Sequence, residues 1–244
     1  MDISSMELNR GWGLFGRGWN NFKTDPLTWI LVVVIFFLIS LVLNLIPLLG
    51  GVLMAVISPA LIAGFMKIAH DIEQGEKVGV GHLFQPIQDS ERRVPLLLLG
   101  LVALVATIVM AVLMAVFVGG AMQMGATGDA ISMPLAGVGF FGMIVIFLMY
   151  LVVFAMLAFS IPLVYFRGVE LGDAIVASIK GTIANIGPLV IFSLIYFVLA
   201  FFAMLPFGLG FLILGPVVFA AVYGAYTEIF TGSVEPEVIE AEEA

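Results

Sequence analysis

Long apolar runs alternate with short polar segments along the whole chain. A run of about 20 apolar residues can cross a hydrocarbon layer of about 30 Å as a helix. The chain has six such runs, and their apolar positions are continuous rather than alternating, which predicts helices and not barrel strands. The predicted spans cover residues 27–46, 52 to about 70, 95–118, about 138–166, 188–205 and about 208–230. The fourth span is long enough to require a tilt, or a kink at Pro162.

These spans divide the chain into segments that differ in polarity. In chain order they are an amphipathic interface helix (1–26), a first hairpin (27–75), a loop with an interfacial segment (76–94), the third and fourth spans (95–166) with an outside loop (119–137) between them, an amphipathic segment (167–187), a second hairpin (188–232) and an acidic tail (233–244). The fold class predicted is an all-α membrane protein with six transmembrane helices and amphipathic interfacial helices.

The segment before the first span has the pattern of a helix that lies on a membrane surface. Leu8 and four aromatic residues recur at intervals of four, three, four and three, which places them on one helical face. Glycines at 11, 13, 16 and 18 weaken this helix. The segment is either a membrane-anchored connector or a surface that senses lipid or binds a partner. The predicted interfacial anchors are Trp12, Phe15, Trp19, Phe22 and Trp29.

The two tight hairpins share a spacing of prolines and glycines. Pro59 and Pro216 each stand 16 residues before a closing glycine, Gly75 and Gly232. If the hairpins are repeats, both begin and end on the same side, so they are parallel rather than inverted repeats.

The N-terminal aromatic helix, the Phe-x-x-Asp-Pro-Leu motif at Phe22 to Leu27 and the segment from Gly64 to Gly75 resemble a bacterial family. It is the group of uncharacterised six-span inner-membrane proteins similar to YciC-type proteins and to the membrane domain of some glycerophosphodiester phosphodiesterases. The resemblance implies the fold and a bacterial inner-membrane location. It implies no reaction, and no functional residue is transferred from it.

Composition narrows the class of protein further. Of the 244 residues, 62% are hydrophobic and 11% charged, which excludes a soluble enzyme. The net charge of −8 is opposite to that of a nucleic-acid-binding surface. All nine Lys and Arg residues fall on one side of the six predicted spans, so the positive-inside rule predicts that both termini are cytoplasmic.

Polar chemistry is concentrated at the end of the second span. Lys67, His70 and Asp71 stand at helical spacing, so their side chains can meet. With Arg92 and Arg93 they form a candidate site for a lipid headgroup, the alternative being a charged cap with a snorkelling lysine. No catalytic, metal or cofactor site is predicted.

The absence of a catalytic motif favours a non-enzymatic protein that organises lipid or accompanies a membrane complex. Its expected partners are membrane lipids, and a protein bound through the N-terminal helix or the acidic tail; no nucleic acid is expected. The alternative is a transporter or channel for a small apolar or amphipathic solute.

Overall fold

The computed structural model describes residues 3–47, 49–119 and 132–230, and its secondary structure there is helical, with no β-strand in those ranges. A 3-10 turn at Val80–Phe84 and a π-helical turn at Ala115–Gly119 join longer elements. The α-helices within the described ranges are α1 (Arg10–Thr24), α2 (Pro26–Asn44), α3 (Leu49–Glu73), α4 (Gln85–Gln88), α5 (Arg93–Met114), α6 (Ser132–Leu157), α7 (Ser160–Arg167), α8 (Leu171–Ala184), α9 (Ile186–Met204) and α10 (Phe211–Phe230).

Six helical stretches in the described part of the chain are long and apolar enough to cross a membrane. They are Pro26–Asn44, Leu49–Glu73, Arg93–Phe117, Phe140–Arg167, Ile186–Met204 and Phe211–Phe230. A helix rises about 1.5 Å per residue, so even the 19-residue stretches reach about 28 Å. The predicted all-α fold with six spanning helices is confirmed.

The spanning helices expose most of their apolar surface. In Ile186–Met204 only 11% of the most apolar 18-residue stretch is buried, and Phe197 and Phe201 are 68% and 65% exposed. Exposed apolar surface of this extent would destabilise a protein in water at roughly 25 cal/mol per Å². In lipid that penalty disappears, and helices associate through close packing instead.

The chain folds into two compact units. The first contains the described residues of 3–34, 65–83 and 180–230. Its centre is aromatic: Phe65 stacks against Trp29 and against Phe219, with ring centroids 6.3 and 4.3 Å apart. Trp29 and Phe65 are both fully buried.

Two glycines allow α1 to pack closely against α9 and α10 in this unit. A β-carbon at Gly11 would collide with the carbonyl oxygen of Pro188, and one at Gly18 with that of Val217. Phe15 then stacks against Phe192 of α9, with ring centroids 4.5 Å apart. Two of the four glycines that weaken α1 as an isolated helix, Gly11 and Gly18, therefore create its contact face.

The second unit contains the described residues of 35–64, 84–119 and 132–179. In it α5 packs against α6 and α7. Gly100 of α5 lies against the backbone carbonyl of Val56, where a β-carbon would not fit. Small residues at such crossings let spanning helices approach closely.

The fourth span is broken between α6 and α7. Pro162 has no N–H, and its ring opposes the carbonyl group four residues earlier, that of Ala158, so the helix stops there. The buried Ser178 hydroxyl accepts a hydrogen bond from the N–H of Phe159 (3.0 Å) and donates one to the carbonyl of Ala155 (2.7 Å). The kink expected from Pro162 is thus a break, at which Ser178 of α8 hydrogen-bonds to the N–H of Phe159 and the carbonyl of Ala155.

Candidate functional site

Charged side chains of the first unit gather where α3 and α10 end. Arg17 of α1 donates hydrogen bonds from Nε and Nη2 to Glu73, at 2.8 and 2.7 Å. Arg10 donates from Nε and Nη2 to Glu228, at 3.0 and 2.8 Å. Arg17 Nη1 lies 3.7 Å from Glu228 as well. The four side chains form an ion-pair chain (Arg10, Glu228, Arg17, Glu73) that fixes α1 to the last turns of α3 and α10.

The ion-pair chain keeps Arg17 charged. The hydrogen bond with Glu73 raises the pKa of Arg17; burial opposes this, and the negative charges of Glu73 and Glu228 add to the rise. Because the ordinary pKa of arginine already lies far above neutral, the guanidinium keeps its charge at any working pH. The two arginines and two glutamates of the ion-pair chain balance, so these four side chains together have no net charge.

Asn21 joins α1 to α2 and α3 by a buried polar bridge. Its side chain is 5% exposed; Nδ2 donates to the carbonyl of Ala69 at 2.8 Å, and Oδ1 accepts the indole N–H of Trp29 at 3.2 Å. A buried tryptophan N–H needs such a partner. Trp29, predicted to anchor at the membrane interface, lies instead inside the unit. It can be buried there because Asn21 accepts the hydrogen bond of the indole N–H.

The five predicted anchors lie in three environments, the first of which is the interior position of Trp29 described above. Phe15 and Phe22 are 8% and 6% exposed and face the protein. Trp12 and Trp19 are 70% and 45% exposed and form what we call the tryptophan flank of α1. Lys23 Nζ lies 6.0 Å from the Trp19 ring centroid. Of the five predicted anchors, Trp12 and Trp19 are therefore the two whose side chains are exposed and available to lipid.

The structure brings Lys67 and Asp71 together. They form an ion pair one helical turn apart in α3, and Asp71 is almost completely buried. His82, which sequence spacing did not connect to them, places Nε2 3.6 Å from the second carboxylate oxygen of Asp71. The backbone N–H of Gly79 lies 3.1 Å from His82 Nδ1, so the 3-10 turn holds this imidazole in position.

The other members of the predicted headgroup site have different neighbours. His70 Nδ1 lies 2.6 Å from the hydroxyl of Tyr223 rather than joining Lys67 and Asp71. Arg92 and Arg93 belong to the second unit. There the Arg92 guanidinium covers Gly168, which ends α7 with a positive φ of 62°. Among the described residues, no group of three His, Asp or Glu side chains has the arrangement of a metal site.

An open groove of about 520 Å³ lies between the polar side of α1 and the end of α3. Its lining includes Arg17, Asn20, Asn21 and Glu73, together with Gly13 and Gly16. A β-carbon at either glycine would meet no atom within 4 Å. Its volume is in the range of small-molecule sites, about 300–1,000 Å³.

Asn185 fastens the N-terminal segment to the first unit. Its side chain is completely buried; Oδ1 accepts the N–H of Met6 at 2.6 Å, and Nδ2 donates to the carbonyls of Ser4 (3.0 Å) and Gly181 (2.9 Å). No local sequence signal reveals this role, because the residues that it joins are about 180 positions apart.

Residues 45–165, just under half of the chain, match a family model described as "Predicted integral membrane protein (DUF2189)". The chain is an integral membrane protein. No curated protein and no solved structure matches it. The match supports an uncharacterised membrane family, whereas the resemblance to YciC-type proteins and to the phosphodiesterase membrane domain stays an expectation. The acidic tail (233–244), and most of the outside loop (119–137), lie outside the described residues.

Proposed function

We propose that this multi-pass protein is non-enzymatic, lies in the bacterial inner membrane, and organises lipid at the membrane surface or accompanies a membrane complex. The observation that carries the proposal is the exposure of Trp12 and Trp19 on a helix that is otherwise fixed. Amphipathic aromatic rings favour the boundary between lipid and water. A rigid helix presenting two of them is suited to hold lipid at a defined place.

The contacts of the polar side chains support a structural role for this end of the first unit. Arg10 and Arg17 pair with carboxylates, and Lys67 pairs with Asp71. These pairs use charged groups that a catalytic site would direct toward a substrate. This favours a structural role over a reaction centre.

The distribution of basic residues supports cytoplasmic termini. Under this orientation the tryptophan flank faces the cytoplasmic leaflet. The chain has no native cysteine, so single cysteines at Glu91→Cys and Asp129→Cys can report the two sides. In intact cells a membrane-impermeant maleimide should label Asp129→Cys and leave Glu91→Cys unlabelled, and the reverse result would invert the proposed topology.

The proposed function is tested by extracting the protein into native-lipid nanodiscs and identifying what stays bound by mass spectrometry. Enrichment of a lipid over the bulk membrane supports lipid organisation. A stoichiometric protein that is lost when residues 233–244 are deleted supports the accessory role, with the acidic tail as its contact. Lipid in bulk proportions and no partner would contradict both.

The alternative of a transporter predicts a different result. A small solute would stay bound, and proteoliposomes would show solute flux that falls when Pro59 and Pro216 are replaced. Both prolines lie inside spanning helices, α3 and α10, where their missing N–H groups loosen the backbone. Flux equal to that of empty liposomes would count against this alternative.

A further inference from the structure

Two of the four glycines in α1 have no packing partner. Gly11 and Gly18 are required by the close approach of α9 and α10, whereas Gly13 and Gly16 face open space. A glycine in a helix interior is destabilising, so an exposed one is unfavourable unless its bare backbone is used. Gly13 and Gly16 form part of the lining of the groove, where side chains would fill the space.

The charged side chains that line the groove, Arg17 and Glu73, carry opposite charges that balance. Arginine has five N–H donors. Arg17 uses two for Glu73 and one for the carbonyl of Gly224, and its Nη1 also lies 3.7 Å from Glu228, so the second N–H of Nη2 is left for a ligand. The carboxylate of Glu73 likewise accepts two hydrogen bonds and has lone pairs left. The groove therefore offers donors beside acceptors, which fits a ligand carrying both charges better than an anion or a cation.

The groove lies next to the tryptophan flank on the same helix. At about 100° per residue, the nearest lining residue, Gly16, is about 60° around α1 from Trp19. The groove extends from there to Asn20, about 100° away from Trp19, and Arg17, about 160° away. If Trp19 lies at the lipid boundary, the groove is level with the lipid headgroups.

We propose that this groove binds the phosphoethanolamine headgroup of a zwitterionic lipid. This inference rests on the lipid-organising function proposed above and names its lipid class. The phosphate accepts the remaining N–H of Arg17 Nη2, and the primary ammonium donates to Glu73 and to the side-chain carbonyl of Asn20. A choline headgroup has no N–H to donate, and an anionic headgroup leaves Glu73 unmatched.

The test uses the full-length protein in nanodiscs of equimolar phosphatidylethanolamine, phosphatidylcholine and phosphatidylglycerol. Native mass spectrometry then counts the lipids retained on the released protein. The expected preference for phosphatidylethanolamine over phosphatidylcholine is about tenfold, or about 1.4 kcal/mol. Gly16→Leu, which fills the groove, should abolish the preference while raising the thermal unfolding midpoint, because leucine favours a helix.

Gly172→Leu is the matched control, since Gly172 is another helical glycine with no atom within 4 Å of its β-carbon position. It should keep the wild-type preference. A wild-type protein that retains lipid without headgroup preference, or prefers phosphatidylglycerol, would overturn the headgroup assignment and leave the proposed function standing. A preference that survives in Gly16→Leu would overturn the groove as its site. Retention of no lipid would overturn both.

Discussion

Replacing Asn21 by alanine should destabilise the first unit through the loss of one buried polar bridge. Asn21 is the shared partner of Trp29 in α2 and Ala69 in α3, and its side chain is 5% exposed. Alanine removes both hydrogen bonds without disturbing the helical backbone of α1. It leaves the Trp29 indole N–H, on a completely buried side chain, without this partner.

The magnitude follows from the two contacts. The hydrogen bond to the Ala69 carbonyl stabilises the fold by about 1 kcal/mol, and a buried donor left without a partner costs about 1–3 kcal/mol. Asn21→Ala should therefore lower the free energy of unfolding by about 2–4 kcal/mol. The neighbouring Asn20 is exposed, so Asn20→Ala should change that free energy by less than about 0.5 kcal/mol.

The assay follows the unfolding of detergent-solubilised protein in a W12F/W19F background, where Trp29 is the remaining tryptophan. Its emission should move to longer wavelength earlier in the Asn21→Ala transition than in the Asn20→Ala transition. A double-mutant cycle with Trp29→Phe, followed by circular dichroism, should give a coupling energy of at least about 0.5 kcal/mol. Equal stabilities of Asn21→Ala and Asn20→Ala would refute the bridge.

Two further predictions concern the attachment of α1 and of the N-terminal segment. Arg17→Met should destabilise more than Arg10→Met in thermal unfolding, by about 1–2 kcal/mol against at most about 1, since the Arg17 side chain is 32% exposed and that of Arg10 51%. The pKa of Arg17 is raised, so its contribution to the free energy of unfolding is lost only as the pH rises through that pKa. Because that pKa lies above the working range, the contribution should be constant from pH 6 to about pH 10. A decline within that range would contradict the assignment. Asn185→Ala should speed hydrogen exchange at the Met6 amide, while Ser193→Ala, which removes a bond within α9, should not; unchanged exchange at Met6 in Asn185→Ala would contradict the attachment.

The spanning helices were predictable because their length is set by the bilayer and not by tertiary contacts. An apolar run of about 20 residues has few other stable conformations in lipid. The break in the fourth span was also predictable, since Pro162 acts on its own helix. The hydrogen bonds that Ser178 makes at this break were not predictable, because its hydroxyl comes from another helix.

The division of the aromatic residues of α1 could not be read from their spacing. Protein and lipid both favour apolar side chains, so one apolar face does not separate Phe15 from Trp12. The available signal was the pair Gly11 and Gly18: Phe15 and Phe22 each follow one of these glycines by four residues, which places them on the same helical face. Small residues in that register mark the side on which a neighbouring helix approaches.

The polar contacts show the same division between local and distant partners. Lys67 and Asp71 are four residues apart on one helix, so their meeting follows from helical geometry. The bonds of Arg10 to Glu228 join residues 218 positions apart and depend on the packing of α1 against α10. Spacing along the chain carries no information about such pairs.

The contact of the tryptophan flank with lipid is tested most directly by the quenching of tryptophan fluorescence by lipids brominated on their acyl chains. Trp29 is kept in every protein, and the variants are W19F, W12F and W12F/W19F. We expect strong quenching of Trp12 and Trp19, obtained by difference from the double variant, and weak quenching of Trp29, in line with exposures of 70%, 45% and 0%. Equal quenching of all three, or strongest quenching of Trp29, would contradict the claim that α1 presents its tryptophan flank to lipid.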